Sequence, residues 1–107
     1  MLVIFTARWC RFCTKLKENT IEHPKMVDYV NSNFVPVMLN FDREKRVVKI
    51  LEVQSIPCTV VLSPQADLLG KLVGYVPPSE MRKTLAKSRQ LQDRIQQARQ
   101  SKSGAKR

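Results

Sequence analysis

Cys10 and Cys13 stand with two residues between them in the segment Ala7-Arg8-Trp9-Cys10-Arg11-Phe12-Cys13, directly after an apolar run. Sulfurs at this spacing can close a small disulfide ring across the first turn of a helix. The start of that helix, with its unpaired N–H groups and its dipole, favours the thiolate of the first cysteine. Arg8 and Arg11 add positive charge nearby. The pattern therefore points to thiol–disulfide chemistry with Cys10 as the nucleophile. The competing chemistry is metal binding, which needs two further ligands. Only His23 and Cys58 are on offer, and no second paired motif is present.

Several elements must position these thiols. Leu2-Val3-Ile4-Phe5 is a continuous apolar run, as in a strand buried on both faces. Residues 15–20 read as a helix with Leu16 as its main apolar contact, and His23-Pro24 breaks or kinks it. Met26, Val27 and Val30 then resume a helical stripe up to Asn33. Residues 34–39 form a second strand, with Pro36 near its beginning. Residues 43–53 form another helix with Val47, Ile50 and Leu51 on one face. Cys58-Thr59-Val60-Val61-Leu62 is a third strand, residues 63–67 a turn, and residues 69–73 a fourth strand that pairs back as a hairpin ended by Gly74. Pro77-Pro78-Ser79-Glu80 opens the last helix. Its apolar face runs Met81, Leu85, Leu91 and Ile95, interrupted by Ser88. The order is βαβαββα, an α/β arrangement whose first two helices connect parallel strands.

The chain has 107 residues, 43% of them hydrophobic, enough for one domain with its own core. Three cysteines do not make a disulfide framework. Cys58 reads as a small buried residue, with a third thiol near the Cys10–Cys13 pair as the sharper alternative. The net charge of +10 is uneven: residues 1–81 hold ten Lys and Arg against eight Asp and Glu, and residues 82–107 hold nine against one. Basicity thus belongs to the tail, which weakens any case for a nucleic-acid reader. The tail lacks aromatic residues and a continuous apolar face, so it reads as a solubilising extension that overhangs from about Arg89 and is disordered over 101–107. No stretch approaches membrane-spanning length, and Met1 to Phe5 is too short for a signal-peptide core.

Taken together, residues 1–87 resemble a thioredoxin-fold protein. The resemblance rests on the strand–Trp9-Cys10-x-x-Cys13–helix junction, on Ile56-Pro57 opening the third strand and on Gly74 closing the hairpin. The helix broken at His23-Pro24, followed by Asn33-Phe34-Val35-Pro36-Val37, resembles the thioredoxin-like domains of bacterial envelope disulfide reductases. The resemblance implies a four-stranded mixed sheet with helices on both faces, and a resolving role for Cys13. It also implies a cis Ile56–Pro57 bond facing the cysteines. Ile56 would then pair its backbone with an extended substrate, Trp9 would shape the exposed rim beside Cys10, and Gly74 would complete that surface.

The chain departs from the thioredoxin pattern in four ways. The chain as written lacks the extra N-terminal strand and helix, as would a minimal version of the fold or a truncated one. Arg11 and Phe12 replace glycine and proline between the cysteines. Ile4 stands where thioredoxins bury an aspartate, and Met38 stands where its lysine partner would be. The flanking charge favours the reduced form, hence a more oxidising couple than thioredoxin's.

The resulting expectation is a thioredoxin-like domain over 1–88 with a basic helical extension and tail over 89–107. Its function would be thiol–disulfide exchange in protein substrates, with Cys10 and Cys13 catalytic and Trp9, Ile56, Pro57 and Gly74 contacting substrate. No cofactor or metal is implied. The partners are disulfide-containing proteins and an external partner that resets the couple, with no nucleic acid, and the protein acts as a monomer. The chain as written implies a cytoplasmic location, or a periplasmic or envelope one if a leader precedes it. A protein-binding module with an incidental Cys-x-x-Cys, or a metal carrier, are the rival classes.

Overall fold

The computed structural model describes the backbone of residues 1–105 and the side-chain surroundings of residues 1–100. Four strands form one mixed sheet: β1 (Leu2–Thr6), β2 (Pro36–Asn40), β3 (Cys58–Leu62) and β4 (Leu68–Val73), in the spatial order β2-β1-β3-β4. The β1–β2 pair is parallel, with Leu2 opposite Pro36 and Thr6 opposite Asn40. The β1–β3 and β3–β4 pairs are antiparallel. Both central strands are buried on both faces, which is why β1 reads as a continuous apolar run over Leu2 to Phe5, while β3 also buries the polar Thr59.

Helices cover both faces. On one, α1 (Arg11–Leu16), α2 (Pro24–Asn33) and α4 (Pro78–Ala105) pack Leu16, Met26, Val30, Met81 and Leu85 over Leu2, Ile4, Val61 and Leu69. On the other, α3 (Lys45–Ile50) lies over Val3, Phe5, Cys58 and Val60. The expected order and sheet are thus observed, with one refinement. The first helix passes into a π-helical turn at Lys17–Ile21 before breaking at His23, which precedes Pro24 at the start of α2. That turn faces Thr20 inward, where its hydroxyl donates to the Val76 carbonyl at 2.6 Å and ties the break to the entry of α4.

Two expectations need correction, and that for Ser88 is sharpened. The inward seam of α3 is Val47, Val48 and Leu51, whereas Ile50 is 69% exposed. The helix ends after only six residues, and Glu52 takes a positive φ just beyond it. With Val48 in the seam, the helical period turns Ile50 away from the core. Second, Ser88 does not merely interrupt the apolar face of α4. It is buried, and its hydroxyl lies 2.9 Å from the Thr84 carbonyl and 3.4 Å from that of Leu69. Third, α4 does not fray after Arg89. It continues to Ala105, Leu91 and Ile95 pack against the core, and Arg99 makes a two-pronged ion pair with Asp67 at 2.8 and 2.9 Å. Residues 106–107 of the expected disordered tail lie outside the described residues. The Arg99 guanidinium and the Ser63 hydroxyl hold the Asp67 carboxyl below the usual carboxylate range.

Gly70 packs against Ser88 so closely that a Cβ there would lie 2.6 Å from Oγ. Gly70→Ala is expected to destabilise the fold by about 1–3 kcal/mol through overpacking. Adding Ser88→Ala should restore part of the loss, a coupling that denaturant melts of the single and double variants will measure.

Candidate active site

The site grows from the carboxyl ends of β1 and β2. Strand β1 ends at Thr6, and the loop that follows brings Cys10 to the start of α1, where the Cys10 N–H donates to the Ala7 carbonyl at 3.1 Å. Cys10 caps that helix: its Sγ accepts the Cys13 N–H at 3.1 Å, and no acidic residue occupies the first turn. Cys10 and Cys13 are joined in a disulfide, with their Cα atoms 5.2 Å apart. Both are buried and form a small cluster with Ala7, and Ile56 packs against it. Arg8, Arg11 and Phe12 are exposed around them.

The second segment arrives from β3. The Ile56–Pro57 bond is cis, Pro57 is buried, and the Pro57 carbonyl accepts the Gly74 N–H at 2.7 Å. Gly74 has a φ of 86°, a backbone conformation that a side chain would strain. The fold therefore brings Cys10, Cys13, Ile56, Pro57 and Gly74 together from three separated stretches. Trp9 stands at the outer rim, 66% exposed, with its indole N–H donated to Asp42 at 2.8 Å.

The sequence reading missed Asp42. A signal was present in Asn40-Phe41-Asp42-Arg43: an Asn that ends a strand can bind the backbone two and three residues on. Here the Asn40 side chain accepts the N–H groups of Asp42 and Arg43 at 2.9 and 3.0 Å, and this sets the loop that meets Trp9. Beneath the site, Ile4 and Met38 face each other in register across β1 and β2. Ile4 is a core residue, while Met38 lines a cleft of about 190 Å³ beside Cys13, together with Thr6, Arg8, Thr14 and Lys17.

Cys58 is 1% exposed and packs with Val3, Phe5, Val53 and Val60, in a cluster separate from that of Cys10 and Cys13. Burial pushes its thiol pKa up, partly countered by Lys71. The thiol thus stays protonated through neutral pH. Alkylation at pH 8 of the oxidised protein should leave Cys58 unmodified until denaturant is added, as peptide mass mapping will show.

A family model described as a thioredoxin-like domain matches residues 1–89. The chain belongs to the thioredoxin-like domain family. Among solved structures, it is similar to a thioredoxin from Thermus thermophilus at 23% identity, covering 84% of this chain and 71% of that one, with a TM-score of 0.70. An oxidoreductase named DsbH superposes with a TM-score of 0.71 at 13% identity, over 82% of this chain and 71% of that one. A thioredoxin-fold protein from Helicobacter pylori matches at 21% identity over 72% of this chain and 60% of that one, with a TM-score of 0.67. No curated protein matches the sequence. At these identities the neighbours show the thioredoxin-like fold, and the paired cysteines of this domain are consistent with disulfide chemistry. Among the described residues, no helix is long and apolar enough to cross a membrane.

Proposed function

We propose that this thioredoxin-like domain is a thiol–disulfide oxidoreductase acting on protein substrates. The observation that carries the reading is the Cys10–Cys13 bond at the start of α1, packed against Ile56 and followed in space by the buried Pro57. In the reducing direction, the Cys10 thiolate attacks one sulfur of a substrate disulfide. The substrate S–S bond breaks, and the departing thiolate takes up a proton. A mixed disulfide now joins Cys10 to the other substrate sulfur. Cys13 then loses its proton, and its thiolate attacks the Cys10 sulfur and expels the second substrate thiolate, which is protonated in turn. The substrate gains two electrons and two protons, and the protein is left with the Cys10–Cys13 disulfide. An external dithiol resets the couple, and the same steps in reverse make a disulfide.

The start of α1 and the exposed Arg8 and Arg11 favour the Cys10 thiolate. Because Ile4 and Met38 occupy the acid–base positions of thioredoxins, Cys13 has, among the described residues, no buried carboxylate to take its proton. Its proton leaves to solvent in the adjoining cleft lined by Thr14 and Lys17. Ile56 offers its backbone to an extended substrate, Gly74 keeps that edge clear of a side chain, and Trp9 supplies a flat apolar contact. In an insulin-reduction assay driven by dithiothreitol, catalytic amounts of the protein should accelerate precipitation severalfold over the reductant alone. A rate equal to the uncatalysed control would refute the reading.

A further inference from the structure

The rim beside Cys10 carries a cleft that the exchange chemistry does not use. It measures about 420 Å³ and is lined by Arg8, Trp9, Asn40, Asp42 and Arg43. It opens where the loops after two adjacent parallel strands diverge, a place where open α/β sheets commonly bind ligands. Its walls are set by local bonds. The Phe41 N–H donates to the Thr6 carbonyl at 2.8 Å, and Asn40 holds the Asp42–Arg43 turn.

The charges in this cleft are unequally satisfied. The Asp42 carboxylate already accepts the Trp9 indole N–H. Arg8 and Arg43 are exposed, and the ion pair found among the described residues, Arg99–Asp67, involves neither of them. Two arginines and one engaged carboxylate therefore line the cleft. Its wall residue Trp9 directly precedes Cys10 in the chain, and the exposed Arg11 directly follows it. Guanidinium groups bind carboxylates in a planar two-pronged geometry, and Trp9 gives an apolar wall for the stem of a glutamate.

We infer that the cleft selects protein substrates that carry an acidic side chain next to their reactive cysteine, held between Arg8 and Arg43. This rests on the oxidoreductase reading and names its substrate class. Cys10 attack would then occur on a segment already anchored one or two residues from its disulfide, and encounter would be steered by the positive rim.

The test uses disulfide-linked dimers of a short peptide with Glu, or with Lys, on both sides of its single cysteine. Each rate is divided by that of free dithiothreitol on the same peptide, which removes intrinsic differences in reactivity. At low salt, the normalised kcat/KM should favour the Glu peptide about tenfold, and 0.5 M salt should shrink the preference severalfold. In the Arg8→Gln/Arg43→Gln double variant the ratio should fall close to one. A ratio near one in the unsubstituted protein, or one that survives in the double variant, would overturn the inference.

Trp9 is the only tryptophan and lines the cleft, so its fluorescence reads binding without turnover. Serine versions of the peptides, titrated into the oxidised protein, should show the same preference for Glu. If neither disulfide peptide is turned over but the titration still separates Glu from Lys, the oxidoreductase reading fails and the cleft assignment stands. Equal affinities for the two serine peptides would remove the cleft assignment instead.

Discussion

Cys10→Ser is expected to lower the turnover of a peptide disulfide by more than about a thousandfold, because it removes the group that forms the covalent intermediate. Cys13→Ser should give a different defect. Cys10 still attacks, but the mixed disulfide has no internal thiol to resolve it, so the variant accumulates joined to its substrate. Non-reducing gels of Cys13→Ser incubated with substrate should show a new adduct that disappears on reduction, and Cys10→Ser should show none. The asymmetry follows from geometry. Cys10 caps α1, where the helix start favours its thiolate, whereas Cys13 lies within the first turn of that helix. Equal trapping by both variants, or trapping by neither, would contradict these roles.

Phe5→Ala should have the largest effect on stability. Phe5 is fully buried on β1, opposite Cys58 of β3 and Leu39 of β2, and it fills the space under α3. Its truncation removes a large apolar side chain and leaves a cavity that the neighbouring strands cannot close, at about 3–5 kcal/mol. For a domain of this size, the melting temperature should drop by more than about 10 °C. Because Phe5 is five residues before Cys10 on the strand that carries the active loop, turnover should fall with the folded fraction. Circular dichroism melts beside activity at low temperature will separate the two effects.

Much of this was legible in the sequence because the signals were local. A proline after a histidine marked the helix break, a continuous apolar run marked β1 as buried on both faces, and Gly74 marked the end of the hairpin. The cysteine pair was readable for the same reason, since its chemistry depends on a spacing within one turn. Contacts that join distant parts of the chain were not legible. Nothing near Ser88 announces that Gly70 leaves room for its hydroxyl. The docking of Arg99 on Asp67 depends on how far α4 travels past the sheet. Asp42 could not be matched to Trp9 because the two meet only through the parallel alignment of β1 and β2. The outward position of Ile50 was not legible because the phase of a six-residue helix, with Val48 inward, is set by the sheet it packs on.

The absence of the acid at Ile4 bears on the potential of the couple. With Ile4 in place of an acid and with positive charge on the rim, the reduced form is expected to gain stability relative to the disulfide, which would raise the potential. The central claim is that Cys10 and Cys13 form one reversible two-electron couple. The direct measurement is equilibration of the protein in glutathione buffers of defined ratio, followed by acid quenching, alkylation in denaturant and mass mapping of all three cysteines. The account predicts that Cys10 and Cys13 lose alkylation together in a single two-electron transition, at a potential less negative than about −270 mV, while Cys58 remains a thiol throughout. Glutathione adducts on separate cysteines in place of the internal disulfide, or two thiols that persist in the most oxidising buffer, would contradict it.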